Sequence, residues 1–214
     1  LIPPPEKYIN NQKKFATQML DILNKLQVLK KGKSLLVIRT EAGHILDEVK
    51  NNSEVTDLYG LDYFTSNQDY IQKVLGIQNI ELLQPAILHN PFSKEKFDII
   101  LANHQLTHAF EPQKYLSVLS GMLSEDGVIL FYNEPDHSKS LKSSKTYLRG
   151  INGFHKQLMN PSSMKVLLNK AGIDVEFAQH PDPIRYTSVN CGMLKIKKKS
   201  KSSAVVKTNP DDTK

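Results

Sequence analysis

The sequence contains a single cysteine, Cys191, and no tryptophan among its 214 residues. One cysteine cannot form a disulfide within the chain or supply a multi-cysteine zinc site, so we expect a reducing, cytoplasmic setting. No apolar run approaches the roughly 20 residues that cross a bilayer, and we expect no membrane span. Residues 1–5 are rich in proline and lead into charged residues, a pattern unlike a secretory signal peptide.

The positive charge is concentrated at the end of the chain. The formal net charge is +6, and residues 195–214 hold seven lysines and two aspartates. We therefore predict a folded domain over residues 1–196 and a basic, disordered tail over residues 197–214. The tail lacks the aromatic side chains that stack on bases, which makes a nucleic-acid partner unfavoured. Because residue 1 is a leucine, we expect the chain to be a piece of a longer protein.

Helical and strand patterns alternate along the chain. Helical spacing of apolar residues predicts helices over 6–30, 43–51, 66–75, 112–123 and 160–170. Short apolar runs predict strands over 34–38, 54–61, 80–83, 97–102, 128–132, 174–178 and 192–196, with a turn at Asp126-Gly127. The order predicts a doubly wound α/β fold: a mostly parallel, seven-stranded sheet with helices on both faces and an antiparallel C-terminal hairpin. Ligands of such folds bind beyond the carboxyl ends of the strands.

Imidazole and carboxylate groups follow two of the predicted central strands. His104 and His108 follow one, Glu134 and His137 follow the next, and His155 lies in a later polar stretch. Such groups could bind a metal, exchange protons with a substrate or form a solvated polar rim. The spacing lacks the glutamate of a His-Glu-x-x-His site, so we predict no metal ion. We predict His104 and His108 as catalytic proton acceptors, and Glu134, His137 and His155 as substrate contacts.

Three segments carry a family resemblance. They are FDIILANHQLTHAFEPQKYLSVLSGMLSEDGVILFYNEPD at 97–136, YGLDYF at 59–64, and FHKQLMNPSSMKVLLNKAGIDVEF at 154–177. In this order and spacing they resemble the class I S-adenosylmethionine-dependent methyltransferases, most closely the small-molecule and sugar branch of types 11 and 12. The resemblance spans about residues 6–196 and implies a Rossmann-like methyltransferase fold with S-adenosylmethionine as cofactor.

The resemblance also implies roles for individual residues. Asp62 matches the acid that accepts hydrogen bonds from the ribose hydroxyls, and Asn103 lies in the loop that borders the methyl donor. His108 matches the histidine of the family's Glu-His pair, although Thr107 stands at the glutamate position. Ala86 stands where the family has an aspartate for the adenine amino group, and it cannot accept that hydrogen bond.

The loop after the first strand departs from the family pattern. An acid followed by Gly-x-Gly-x-Gly corresponds here to residues 37–43, and only Gly43 remains of the three glycines. Arg39 and Glu41 replace the other two, where glycine lets the backbone approach a ligand. Arg39 could hold the cofactor carboxylate while Glu41 meets its ammonium, or the two side chains could pair and fill the site. The same loop lacks the Gly-x-Gly-x-x-Gly of nicotinamide-binding folds.

Two functions remain open at this level. The chain could transfer a methyl group from S-adenosylmethionine to a small-molecule or sugar-type acceptor. It could instead be a catalytically inactive module that binds a partner protein or an adjoining domain. Asp62 and the region of the fourth strand favour the first, and the lost glycines favour the second. From the altered loop and Ala86 we predict that S-adenosylmethionine binds weakly or not at all.

Overall fold

The computed structural model describes residues 4–82, 89–135, 161–171, 173–176 and 191–198. The helices are α1 (Glu6–Lys25), α2 (His44–Asn52), α3 (Thr65–Lys73), α4 (Pro112–Met122) and α5 (Pro161–Lys170), with a 3₁₀ turn at Leu106–His108. The strands are β1 (Ser34–Ile38), β2 (Asp57–Asp62), β3 (Asn79–Leu82), β4 (Phe97–Asn103), β5 (Leu123–Pro135), β6 (Ile173–Glu176) and β7 (Cys191–Lys198). The tail was predicted to begin at residue 197, but Lys197 and Lys198 are the last residues of β7 and pair with β6. Residues 199–214 lie outside the described residues.

The strands form one sheet in the order β3-β2-β1-β4-β5-β7-β6. The first five strands in this order, β3, β2, β1, β4 and β5, pair in parallel. Strand β7 runs antiparallel to both β5 and β6. The strand order reverses between β1 and β4, and this switch point is where doubly wound folds bind ligands. The predicted α/β, Rossmann-like class is confirmed.

Alternate residues of the central strands enter two separate cores, because successive side chains of a strand point to opposite faces. On one face, Leu35 and Val37 of β1 pack with residues of α1, α2 and α3. On the other face, Leu36 and Ile38 pack with residues of α4 and α5. All five residues of β1 are buried, which explains its unbroken apolar sequence. Among the described residues, no helix is long and apolar enough to cross a membrane.

Two predicted boundaries are wrong for local reasons. Helix α1 ends at Lys25 rather than at residue 30, and Gln27 just after it adopts a left-handed φ of 55° that no helix tolerates. The predicted turn at Asp126-Gly127 lies inside β5. Phe97 pairs with Leu123 while Ile99 pairs with Val128, so the intervening residues of β5 are absorbed as a shift in register.

Asp98 joins three strands at the amino edge of the sheet. One carboxylate oxygen accepts hydrogen bonds from the Ser34 backbone N–H at 3.0 Å and from the Ser34 hydroxyl at 2.9 Å. The other accepts from Lys33 Nζ at 2.8 Å and from Ser124 Oγ at 3.2 Å. Burial alone would raise the pKa of Asp98, but the hydrogen bonds from Lys33 and Ser34 lower it to about 2.

We expect Asp98→Asn to lower the free energy of unfolding by about 2 kcal/mol at pH 7, since one pKa unit corresponds to ~1.4 kcal/mol. The folded pKa lies below the ordinary value of 3.8. The contribution is therefore complete above pH 3.8 and is lost as the pH falls toward 2. Urea unfolding of both proteins at pH 7 and pH 3 checks this, and the difference should shrink in acid. Asp69→Asn is the control, because its ion pair with Lys73 is exposed and should contribute little. A difference that is independent of pH would contradict the assignment.

Candidate cofactor site

The loop between β1 and α2 keeps a glycine-like backbone without the glycines. Arg39, Glu41 and Gly43 have φ values of 62°, 54° and 74°. These are the three positions at which the resembled family has glycine. A left-handed conformation costs a residue with a side chain roughly 1–2 kcal/mol. At Gly43 space is also limiting, since a Cβ atom there would lie 2.5 Å from Cγ1 of Ile71.

Asp62 ends β2 and is buried beside this loop. One carboxylate oxygen accepts hydrogen bonds from the Glu41 backbone N–H at 2.7 Å and from Thr40 Oγ1 at 3.3 Å. The other accepts from the Phe64 backbone N–H at 3.0 Å and from Asn67 Nδ2 at 2.8 Å. Burial raises the pKa of Asp62, and these four hydrogen bonds oppose the rise. Asp62 therefore holds the loops after β1 and β2 together.

The Glu41 side chain lies at the switch point of the sheet. Its carboxylate accepts hydrogen bonds from Gln12 Nε2, from the Tyr8 hydroxyl at 3.5 Å and from Asn103 Nδ2 at 3.3 Å. Arg39 Nε lies 3.9 Å from the same carboxylate, which is a loose ion pair. Asn103 Nδ2 also contacts the Arg39 carbonyl at 3.3 Å. The end of β4 is thus joined across the switch point to the loop after β1.

The two predicted catalytic histidines lie together beyond β4. The ring centroids of His104 and His108 are 4.7 Å apart. His104 has a left-handed φ of 49°, and its backbone N–H donates to the Tyr132 carbonyl at 2.9 Å. Gln105 between them is buried and accepts a hydrogen bond from the Tyr63 hydroxyl at 2.9 Å. Non-glycine residues in strained backbone conformations thus flank both sides of the switch point.

For the other predicted residues the structure gives at most a backbone position. Glu134 belongs to β5, where its backbone pairs with Gly192 of β7. His137, His155 and Ala86 lie outside the described residues. Within the described ranges, no three histidine, cysteine, aspartate or glutamate residues are placed to hold a metal ion.

Four polar residues of the site were not predicted from the sequence: Tyr8, Gln12, Thr40 and Asn67. Of these four, Gln12 could have been recognised from its position. It lies on the apolar face of α1, three residues before the buried Phe15. A buried polar side chain on such a face needs a hydrogen-bond partner. The identity of that partner, Glu41, is not readable from residues close to Gln12 in the chain.

His44, the first residue of α2, is buried next to the loop and packs edge-on against Tyr70. Neither of its ring nitrogens has a hydrogen-bond partner within the part of the chain that the structure describes. Burial, followed by the charge of Lys13, lowers the pKa of His44, and Asp47 opposes the shift. An imidazole in this setting is held neutral at a cost in desolvation.

We expect His44→Leu to stabilise the protein by about 1 kcal/mol at pH 5.5, since it removes an unsatisfied buried polar group. The folded pKa lies below the ordinary 6.5, so wild-type stability is complete above pH 6.5 and falls below it. Thermal unfolding at pH 8 and pH 5.5 measures both effects, and the stability gap between the two proteins should widen in acid. A gap that narrows in acid would contradict this account.

Comparison with known proteins agrees with the fold. The family model described as "Methyltransferase domain" matches residues 11–176. No curated protein matches the chain. The YcgJ protein of Bacillus subtilis is 14% identical, with a TM-score of 0.64, and the match covers 86% of this chain and all of that one.

Two further solved structures show the same architecture. An S-adenosylmethionine-dependent methyltransferase of Clostridium acetobutylicum is 10% identical, with a TM-score of 0.63, over 88% of this chain and 92% of that chain. A complex of the Haloferax volcanii Trm112 methyltransferase activator with a methyltransferase contains a chain that is 12% identical. Its TM-score is 0.61, over 91% of this chain and 98% of that chain. On the family match, which spans most of its length, the chain belongs to the methyltransferase domain family, whose cofactor is S-adenosylmethionine.

Proposed function

We propose that this chain transfers a methyl group from S-adenosylmethionine to a small-molecule acceptor of hydroxyl, amine or sugar type. The observation that carries the proposal is the set of hydrogen bonds around Asp62 at the carboxyl edge of β2. A buried carboxylate at this edge, next to the switch point, is suited to accept hydrogen bonds from a vicinal diol.

The hydrogen bonds that Asp62 accepts are arranged so that a ribose could take the place of some of the donors. A carboxylate has about four acceptor positions, and two of them here are used by the backbone N–H groups of Glu41 and Phe64. The other two are used by the side chains of Thr40 and Asn67. Two ribose hydroxyls can replace these two side-chain donors and leave the backbone hydrogen bonds in place. The loops would therefore keep their positions when the cofactor binds.

The remaining residues would orient the cofactor and the acceptor. When bound, S-adenosylmethionine supplies a methyl group on a positively charged sulfur. Asn103, with its amide already directed at the Arg39–Glu41 loop, would border that group. Most of the catalytic task then consists of holding the acceptor in line with the methyl group and excluding water.

The proton of a hydroxyl or amine acceptor must be removed during transfer. We assign this role to His104 or His108, whose rings lie side by side beyond β4. Glu134, His137 and His155 remain proposed substrate contacts. The inactive-module alternative is not favoured by the family match. A protein partner and a cytoplasmic location also stay predictions, although one structural neighbour was solved in a complex with an activator protein.

The proposal is tested by incubating the full chain with methyl-tritiated S-adenosylmethionine and separate pools of hydroxylated, amino and sugar compounds. We expect label in at least one pool and time-dependent formation of S-adenosylhomocysteine. The Asp62→Asn variant should show neither. Label transfer that is equal in the wild type and in this variant would show that the site lies elsewhere. No transfer to any pool, with a cofactor that binds, would favour the inactive module.

A further inference from the structure

The loop after β2 is bound to the loops that follow two other strands. Successive side chains of an extended chain point to opposite sides, so Asp62 and the next residue, Tyr63, reach different neighbours. Asp62 accepts hydrogen bonds from the loop after β1. Tyr63 packs against the core on the α4 face, and its hydroxyl donates to Gln105 Oε1 at 2.9 Å. Because β1 lies between β2 and β4, this hydrogen bond joins the loops after β2 and β4 across the end of β1.

Gln105 holds the chain on both sides of the histidine pair. Its side-chain Nε2 donates to the Asn103 carbonyl at 2.8 Å, so the amide closes a ring around His104. Its backbone carbonyl accepts a hydrogen bond from the His108 N–H at 3.2 Å. Gln105 is buried, and hydrogen bonds removed from water are stronger than exposed ones. The positions of both imidazole rings therefore depend on Gln105, and we call residues 103–108 the histidine turn.

The histidine turn contains strained backbone. His104 has a φ of 49°, a left-handed conformation that is unfavourable for a residue with a side chain. Strained residues persist only where the surrounding structure holds them. The His104 N–H is held by the Tyr132 carbonyl at 2.9 Å, and the ring closed by Gln105 holds the residue from the other side. Weakening the hold on Gln105 should therefore let the turn relax and move the imidazoles.

The Tyr63 hydroxyl fixes the orientation of the Gln105 amide. An amide has one acceptor oxygen and one NH₂ group, and a carbonyl can only accept. Nε2 of Gln105 must therefore face the Asn103 carbonyl, which leaves Oε1 for Tyr63. Burial raises the pKa of Tyr63, although the charge of Arg39 and the Gln105 hydrogen bond oppose the rise. The hydroxyl thus keeps its proton at neutral pH and remains a donor to Oε1.

We propose that Tyr63 and Gln105 are positioning residues for methyl transfer, in which the Tyr63 hydroxyl, acting through the Gln105 amide, holds the histidine turn in a fixed place relative to Asp62. This inference rests on the proposed function, in which His104 or His108 removes the proton of the acceptor. The strand that ends in the proposed ribose acceptor then has a second task. The residue after Asp62 helps to fix the proton acceptor relative to the methyl donor.

Amide hydrogen exchange of the full chain, followed residue by residue by NMR, tests the structural step. Tyr63→Phe removes the hydroxyl and keeps the ring. We expect the amides of His104 and His108 to exchange roughly tenfold faster, the effect of one hydrogen bond on a local opening, while amides in β1 are unchanged. Tyr59→Phe is the matched control, because it removes a hydroxyl from β2 at a position packed against Phe97, at the opposite end of β4. It should leave both histidine amides unaffected.

Methyl-transfer kinetics test the functional step. Tyr63→Phe should lower kcat roughly 10–100-fold, because misplacing a reacting group by about 1 Å has an effect of this order. The affinity for S-adenosylhomocysteine, measured by calorimetry, should not change. In a chain that already carries His104→Gln and His108→Gln, the same substitution should cause little further loss, since no proton acceptor is left to position. Thermal unfolding verifies that each variant is folded.

A second variant, Gln105→Met, tests whether the two residues act through one contact. It should reproduce both the faster exchange and the lower kcat. Adding Tyr63→Phe should not enlarge either effect, because residues that act through the same hydrogen bond are not additive. Gln18→Met makes the same change at an exposed position and is the control. Effects of Tyr63→Phe and Gln105→Met that multiply would show that the residues act independently, against the inference.

Three further results would overturn the inference. Unchanged exchange of the His104 and His108 amides in Tyr63→Phe would show that the hydroxyl does not hold the turn. Equal losses of kcat and of S-adenosylhomocysteine affinity would place Tyr63 in the cofactor site. An equal loss of rate with and without the two histidines would show an effect that does not pass through them. If the wild type binds the cofactor but transfers no methyl group, the proposed function fails, and hydrogen exchange alone decides whether Tyr63 holds the turn.

Discussion

Asp62→Asn is expected to weaken S-adenosylhomocysteine binding by at least about tenfold, since hydrogen bonds to a charged group contribute ~1.5–3 kcal/mol each. An amide has one acceptor oxygen, whereas the Asp62 carboxylate accepts backbone N–H groups on both of its oxygens. In the variant one of these N–H groups would face an NH₂ group. We therefore expect the free energy of unfolding to fall as well, by about 1–3 kcal/mol, the cost of an unsatisfied buried group.

Two neighbouring variants distinguish loss of the ribose contact from damage to the loop. Thr40→Val and Asn67→Ala each remove a side-chain donor that the ribose is proposed to replace. Both should bind S-adenosylhomocysteine at least as well as the wild type, because the carboxylate no longer has to exchange that donor. Titration calorimetry gives the affinities. If either variant loses as much affinity as Asp62→Asn, the donors are structural and the ribose assignment is wrong.

Replacing both His104 and His108 with glutamine should reduce the rate of methyl transfer by ~10²–10⁴, the range typical of general acid–base catalysis. Either ring could substitute for the other, because their centroids are only 4.7 Å apart. Each single variant should therefore lose less than the double variant. The wild-type rate should fall in acid as imidazole becomes protonated, and the residual rate of the double variant should lack that acid limb.

The measurement for the histidines is a steady-state pH–rate profile with the acceptor found by methyl-transfer screening. Binding of S-adenosylhomocysteine to the double variant should match the wild type, which separates proton transfer from cofactor binding. An unchanged rate in the double variant would show that neither histidine takes part in proton transfer and that both only form a solvated polar rim. If the rate and the affinity for S-adenosylhomocysteine fall by the same factor in the double variant, the two histidines contribute to cofactor binding rather than to catalysis.

The fold was predictable where burial on two faces left an unbroken apolar sequence. Strands β1 and β4 are of this kind, and both lie in the centre of the sheet. The start of β5 was not predictable, because Asp126-Gly127 has turn chemistry but is accommodated by a shift in register against β4. Local sequence determines the preference for a turn, and the neighbouring strand determines whether the chain departs from the sheet.

The site was predictable only for residues that follow the ends of adjacent strands. Asp62, Glu41 and Asn103 come together because β2, β1 and β4 are neighbours in the sheet. Gln12 and Tyr8 reach the same place from α1, and the sequence near them gives no sign of the distant carboxylate that they bind. The missing glycines suggested a different loop, yet Arg39 and Glu41 keep left-handed backbone conformations. Such strain depends on contacts that only the folded chain supplies.

The most direct test of the central claim is a titration of the full wild-type chain with S-adenosylmethionine, followed by displacement with S-adenosylhomocysteine. We expect one binding site per chain, competition between the two ligands and loss of both in Asp62→Asn. The affinity should be weak, because the Thr40 and Asn67 side chains must give up their hydrogen bonds to Asp62. An absence of binding at a ligand concentration of about 1 mM would mean a binding free energy weaker than ~4.1 kcal/mol. That result would contradict a methyltransferase site at this edge of the sheet.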